Sequence, residues 1–118
     1  MIEIRTNFTP YKMKISRREP VVLSLELINS GKEKEIVSFE FVLGQQFSLE
    51  KTGYKSEKTE KIPAFGPGEK KKYYFEIWPK QMLRAGEQGM RLTVIEHYQS
   101  FNYVKRKQEK VLKLTVEE

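Results

Sequence analysis

Apolar and polar residues alternate along most of this chain with the period of two that is typical of half-buried β-strands. The pattern is clearest in three stretches, "VVLSLELI", "IVSFEFVL" and "KKKYYFEIWP". Their apolar positions are predicted to form the inner faces of sheets: Val21, Leu23, Leu25 and Leu27; Val37, Phe39, Phe41 and Leu43; and Tyr73, Phe75 and Ile77. The third stretch also carries aromatic residues on its outer face, Tyr74 and Trp78.

The end of the chain predicts a hairpin of two strands, "MRLTVIEHY" and "QEKVLKLTVEE", joined by "QSFNYVKRK". Weaker alternation around Phe47, Leu49, Ile62 and Phe65 predicts short edge strands, and Pro63 favours an edge because proline cannot donate to a neighbouring strand. The sequences Asn29 to Gly31 and Gly66 to Glu69 predict turns. The stretch "KQMLRAGEQG" lacks alternation and is predicted to make a single helical turn before Gly86 and Gly89.

These elements predict one all-β domain over residues 1–118, since strand signals recur and no long amphipathic helix is present. We expect an immunoglobulin-like antiparallel β-sandwich of about seven strands with Greek-key connections. A chain of this length buries enough surface to hold a core without disulfides or metals.

Composition excludes several kinds of chemistry. There is no cysteine, and all sixteen acidic residues are glutamate, so thiolate sites and aspartate-based triads or calcium loops are excluded. His97 is the single histidine, and a structural or exposed histidine is favoured over a catalytic one. No phosphate-binding loop is present. We therefore predict that the domain is not an enzyme and uses no cofactor or metal.

The balance of lysine and glutamate is typical of proteins from hyperthermophiles and predicts a thermophilic source. An archaeal source is expected as well. Neither a signal peptide nor an apolar run of about 20 residues is present. On that basis a cytoplasmic location is slightly favoured, with an extracellular one open if the sequence is an excised domain.

Two sets of residues are candidates for binding. The aromatic set is predicted to contact a partner, since apolar groups in a hairpin connection usually have a reason to be exposed: Tyr98, Phe101, Tyr103, Tyr74 and Trp78. The alternative is that one or two of them fold back over the open end of the sandwich.

The basic set is a candidate for anion contact: Lys70, Lys71, Lys72, Lys105, Arg106 and Lys107. The favoured alternative for these residues is protection of strand edges against pairing with other chains.

The order of turns and strands resembles the CARDB and NEW3 modules of archaea and bacteria. The matching positions are Glu19-Pro20, Asn29 to Gly31, Pro67 to Glu69, Pro79 and Gly89. This resemblance implies an immunoglobulin-like, non-enzymatic accessory or interaction domain, often joined to other domains or displayed on cell envelopes.

The sequence therefore favours a structural or interaction module that binds a protein partner, or a second copy, through the aromatic hairpin and a sheet edge. The alternative function is binding of nucleic acid or another anionic polymer through the lysine- and arginine-rich strands and loops, for which the net charge of +6 gives some support.

Overall fold

The computed structural model describes the whole chain, Met1–Glu118, and it contains nine β-strands and one short 3-10 turn at Ile15–Arg17. The strands are β1 (Ile2–Thr9), β2 (Lys12–Lys14), β3 (Val21–Asn29), β4 (Glu35–Val42), β5 (Phe47–Ser48), β6 (Glu57–Phe65), β7 (Lys70–Pro79), β8 (Gly86–His97) and β9 (Val104–Glu117). They form a four-stranded sheet in the order β1-β3-β7-β5 and a five-stranded sheet in the order β2-β9-β8-β4-β6. The prediction of an all-β, two-sheet arrangement is confirmed.

The core lies between the two sheets and is built from the residues that alternation placed inward. The inward positions predicted on β3 and β4 are all buried. The inward positions that alternation predicts on the terminal hairpin are buried as well: Met90, Leu92 and Val94 on β8 and Leu112, Leu114 and Val116 on β9. Phe39 of the five-stranded sheet meets Tyr73 of the four-stranded sheet edge-on, with 4.8 Å between ring centres. Tyr73 and Phe75 are only half-buried, because β5 pairs with β7 only at Trp78 and Pro79 and leaves the rest of that edge open.

Two strands were not foreseen, which explains why the structure has nine strands where about seven were expected. β1 pairs with the full length of β3, but its inward positions include the polar Thr6, which interrupts the apolar alternation. β2 has only three residues, of which Met13 alone is buried. β2 also pairs in parallel with β9, whereas every other strand pair is antiparallel. The Greek-key connection pattern stays a prediction.

The segment between β7 and β8 contains no helix, so the predicted helical turn is wrong. The Leu83 amide donates to the Lys80 carbonyl at 3.3 Å, which closes a tight turn, and the Leu83 side chain is buried against the core. Strand β8 begins at Gly86. Gly89 therefore lies inside a strand rather than at the end of a helix.

The turn between β6 and β7 depends on one glycine and one glutamate. Gly68 has a φ of +77°, a conformation that side chains with a Cβ adopt only at a cost. The Gly66 amide donates to the Glu69 carboxylate at 2.9 Å, and this hydrogen bond lowers the pKa of Glu69. The predicted turn at Gly66 to Glu69 is confirmed.

Replacing Gly68 by alanine should destabilise the domain by about 1 kcal/mol or more, because the positive φ would strain any residue with a Cβ. Gly66→Ala is the matched control, since its Cβ would lie at an ordinary 3.6 Å from the Glu69 carboxylate and the amide would still donate. Urea denaturation of both variants measures the difference. Equal losses would contradict the conformational explanation.

Candidate interaction surface

The loop between β8 and β9 closes tightly and displays apolar side chains. The Tyr98 amide donates to the Tyr103 carbonyl at 2.9 Å, and the Tyr103 amide donates to the Ser100 carbonyl at 3.2 Å. Tyr98, Tyr103 and Val104 are 58%, 59% and 60% exposed. We refer to these three residues as the hairpin patch.

Phe101 folds back onto the sheet instead of joining this patch. It is half-buried, and its ring lies edge-on to His97 with 5.1 Å between ring centres. The Lys61 ammonium lies 5.3 Å from the Phe101 ring centre, within the range of a cation–π contact. The two tyrosines are therefore exposed, as expected for a contact surface, whereas Phe101 folds back over the end of the sandwich, as the alternative interpretation expected.

His97 supports the loop from below. It is buried, and its Nε2 lies 2.7 Å from the Ser38 hydroxyl on β4. Its Nδ1 is buried and has no hydrogen-bond partner. A histidine packed under an aromatic ring and held by a serine is positioned as structural support for the loop. It has no carboxylate partner among its hydrogen bonds.

Tyr74 and Trp78 belong to the other sheet and do not extend the hairpin patch. The loop lies at the end of the sandwich where β4 begins, since Ile36 pairs with His97. Trp78 pairs with Ser48 near the last residue of β7, at the opposite end and about 26 Å along the strand from Lys70. Tyr74 is exposed and Trp78 is half-buried, with the Lys51 ammonium 5.9 Å from the Trp78 ring centre. The five predicted aromatic contacts thus form two separate groups.

Five of the six basic candidates lie beside a glutamate. The nitrogen to oxygen distances are 3.3 Å for Lys71 and Glu69, 3.6 Å for Lys72 and Glu26, 2.7 Å for Lys105 and Glu35, 4.0 Å for Arg106 and Glu96, and 4.0 Å for Lys107 and Glu109. Only Lys70 lies within 4.0 Å of no glutamate. Three of these pairs are 3.6 to 4.0 Å long, and the five cations are all at least 37% exposed, so most of the pairs hold the cations weakly.

The Lys105 pair is the exception, and it anchors the base of the loop. β9 carries one extra residue where its register against β8 shifts between Glu96 and His97, and Lys105 occupies that bulge. Its ammonium donates to both oxygens of the buried Glu35 carboxylate, at 2.9 and 2.7 Å. The hydrogen bond with Glu35 raises the pKa of Lys105. Lys105 is therefore committed to the fold and is a poor candidate for binding an external anion.

Sequence reasoning missed other exposed apolar residues and one open strand edge. Tyr11, Tyr54, Met82 and Val111 are exposed, each on its own strand or loop. Strand β9 continues from Val104 to Glu117, but β2 covers only Thr115 to Glu117. Alternation locates a strand without showing which of its edges is free, so the sequence gives no signal for this feature.

The comparisons with known proteins support the fold. No protein-family model and no curated protein sequence matches the chain. The putative ApaA protein of Bordetella pertussis superposes with a TM-score of 0.53 at 13% identity, over 98% of this chain and 92% of that one. MyfA, the major subunit of the Myf fimbriae of Yersinia enterocolitica, in its self-complemented form gives 0.55 at 15% identity, over 98% and 99% of the two chains.

The bacterial hydrophobin BslA gives a TM-score of 0.51 at 12% identity, over 99% of this chain and 95% of that one. None of these three structures is a CARDB or NEW3 module, and nothing in the comparisons supports the predicted thermophilic or archaeal source. The structure contains no helix with the length and apolar composition needed to cross a bilayer. At these identities the likeness establishes the fold that this chain shares with the three proteins, a β-sandwich.

Proposed function

We propose that this domain is a non-enzymatic, immunoglobulin-like interaction module that binds a protein partner through the hairpin patch. The observation that carries the proposal is the exposure of Tyr98, Tyr103 and Val104, which all belong to the hairpin of β8 and β9 at one end of the sandwich. Tyrosine suits such a role because it offers a large apolar area with a polar tip.

The construction beneath the patch also supports binding. Phe101 rests on the buried His97, and Lys105 is held by Glu35, so the loop is fixed at two points below the exposed tyrosines. A surface that is ordered before binding loses less conformational freedom when a partner docks. Similar folds include a fimbrial major subunit, so this fold is compatible with assembly. The resemblance to CARDB and NEW3 modules stays a prediction that agrees with the proposal.

The alternative function, binding of nucleic acid or another anionic polymer, has weaker support. Five of the six basic candidates lie within 4.0 Å of glutamates, which dilutes the positive potential of the surface. Salt separates the two functions, because counterion release weakens polymer binding steeply with ionic strength whereas an apolar interface persists.

The test is capture of proteins from a lysate on the immobilised domain, washed at low and high salt, with and without nuclease. Changing Tyr98 and Tyr103 together to serine should reduce the retained partner by about tenfold or more, as expected for aromatic anchors. Melting should be unaffected, since both side chains are largely exposed.

Tyr54→Ser is the matched control, because Tyr54 is 91% exposed and lies in the loop between β5 and β6 at the other end of the sandwich. Undiminished capture by the double variant would refute the hairpin patch as the binding surface. Loss of all capture after nuclease or high salt would support the anionic-polymer alternative. A concentration-dependent dimer in sedimentation that the double variant abolishes would identify the partner as a second copy.

A further inference from the structure

Most of one edge of strand β9 has no strand beside it. β9 pairs with β8 along one side from Val104 to Val116. On its other side β2 reaches only Thr115 to Glu117, which leaves residues 104–114 without a neighbouring strand. In an antiparallel strand about half of the backbone N–H and C=O groups point to each side. This edge therefore presents a row of free hydrogen-bonding groups next to the hairpin patch.

The chain itself shows where an added strand would lie. β2 occupies the position beside β9 for three residues, Lys12 to Lys14, and the chain that precedes it comes from β1 in the other sheet. An extended segment beside residues 104–114 would continue the line that β2 begins. The sheet thus already accepts a strand at this edge, although its own chain fills only the last part.

A groove runs along the open part of this edge. It has a volume of about 530 Å³ and lies between the start of β1 and the middle of β9. Its lining residues are Met1, Ile2, Glu3, Ile4 and Arg5 on one side and Gln108, Glu109 and Lys110 on the other, so it contains two glutamates as well as two cations. The Gln108 amide donates to the Ile2 carbonyl at 3.0 Å, so a side chain here takes the place of a strand partner. The inward residues of β9 change along its length from apolar, at Leu112 and Leu114, to polar, at Gln108 and Lys110.

The charge of the edge selects the kind of segment that fits. Residues 104–114 contain five basic side chains and one glutamate. Four of these cations have a glutamate within 4.0 Å, and Lys110 does not. The Lys107 and Lys113 pairs are long, at 4.0 and 3.9 Å. Like charges on neighbouring strands oppose pairing and opposite charges favour it. Two copies of β9 would bring positive charge against positive charge, whereas an acidic strand would be attracted.

We propose that the free edge of β9 binds an extended acidic segment of the protein partner by strand addition. This inference rests on the proposed function and specifies the chemistry of its partner. Main-chain hydrogen bonds to residues 104–114 supply the pairing. Glutamates on the added strand lie on the outer face of the sheet beside Lys107 and Lys113, and its small apolar side chains lie on the inner face, where they enter the groove beside Ile4.

The test uses a dye-labelled synthetic peptide of about ten residues, a common strand length, in which glutamate alternates with valine and threonine. One control peptide carries lysine in place of glutamate. A second keeps the glutamates but is N-methylated at alternate backbone nitrogens, which removes donors needed for strand pairing. Fluorescence anisotropy measures binding, and amide chemical shifts of the labelled domain locate it.

We expect the acidic peptide to bind saturably, with the largest shifts on β9, and both control peptides to bind at least about tenfold more weakly. Changing Lys107 and Lys113 together to glutamate should weaken binding by about tenfold or more, because both lysines lie on the outer face that the glutamates of the peptide share. The matched control changes Lys32 and Lys34, exposed residues of the loop between β3 and β4, and it should leave binding unchanged.

Four results would overturn the proposal. They are no saturable binding, equal binding of the N-methylated peptide, shifts confined to another edge such as β6, and tighter binding at β9 of a single-stranded oligonucleotide or a second copy. If the peptide fails while the tyrosine substitutions still reduce capture, the strand-addition inference falls and the proposed function stands. If the peptide binds but the tyrosine substitutions do not reduce partner capture, the hairpin patch is refuted as the binding surface.

Discussion

Replacing Phe39 by alanine should destabilise the domain by about 3 to 5 kcal/mol, the cost typical of removing a buried aromatic ring. Phe39 is fully buried, and its ring bridges the two sheets by meeting Tyr73 at 4.8 Å and Phe75 at 6.2 Å. The change would leave a cavity at the centre of the sandwich. Since domains are stable by only about 5 to 15 kcal/mol, this loss would be a large part of the total. Urea denaturation followed by far-ultraviolet circular dichroism measures it.

Tyr74→Ala is the matched control for Phe39→Ala. Tyr74 is also aromatic and also sits on a strand, but it lies on the outer face and is 66% exposed. Its replacement should change the free energy of unfolding by no more than about 0.5 kcal/mol. If both variants lose the same stability, the inward and outward faces of the strands have been misassigned. If Phe39→Ala loses less than about 1 kcal/mol, the surrounding side chains collapse around the smaller residue and the expected cavity does not form.

A strand could be predicted from the sequence only when it places several apolar side chains in the core. β3 places four aliphatic side chains inward with no polar interruption, so its period is unmistakable. β1 places Thr6 among its inward positions, and β2 contributes only Met13. These two strands form because tertiary partners, β3 and β9, satisfy their backbone groups. A local pattern carries no information about such partners.

The candidate site could be predicted only in part for a similar reason. Alternation showed that Tyr74 and Trp78 share a face, and the hairpin connection indicated exposure near Tyr98 and Tyr103. The sequence did not show that these two pairs lie on different sheets, with Tyr74 in the middle of β7 and Trp78 near its last residue, because that depends on strand order. It also did not show that Phe101 folds back, since a loop has no period from which a side-chain direction follows.

The ion-pair partners of several basic residues could not be predicted from the sequence either. Lys105 and Glu35 are 70 positions apart in the chain, yet their side chains form the strongest ion pair near the hairpin. The partners of Lys105 and Arg106 follow from the pairing of β4, β8 and β9, which only the tertiary structure supplies. Lys72 meets Glu26 through the pairing of β3 and β7, whereas Lys71 and Lys107 lie beside glutamates two positions away in sequence.

The turn that follows β3 shows how a residue predicted for local geometry can have a long-range role. Asn29 was expected to supply turn chemistry, and its Oδ1 does accept from the Gly31 amide at 3.0 Å. It is also fully buried, and its Nδ2 donates to the carbonyls of Glu33 and Phe65, both at 2.9 Å. Its backbone amide and carbonyl bond to Glu69 and Gly68. One side chain thereby joins the end of β3 to the β3–β4 loop and to the end of β6.

Replacing Asn29 by alanine should therefore destabilise the domain by about 3 kcal/mol, because an unsatisfied buried polar group costs about 1 to 3 kcal/mol and three groups lose their partner. Asn29→Asp separates hydrogen bonding from shape. It keeps the acceptor for Gly31, but it removes both donors and sets a carboxylate against the Phe65 and Glu33 carbonyls. At neutral pH we expect the aspartate variant to lose at least as much stability as the alanine variant.

Asn102→Ala is the control for these two variants, because Asn102 is exposed in the hairpin loop and its side chain makes no hydrogen bond to the rest of the chain. Its replacement should change the free energy of unfolding by no more than about 0.5 kcal/mol. If Asn29→Ala is as mild as Asn102→Ala, water replaces the lost amide and the buried network does not hold the turns together. If the aspartate variant is stable and the alanine variant is not, the Gly31 contact is the one that matters. Losses in both Asn29 variants would show that the two donated bonds, which reach β6 and the loop before β4, hold this end of the sandwich together.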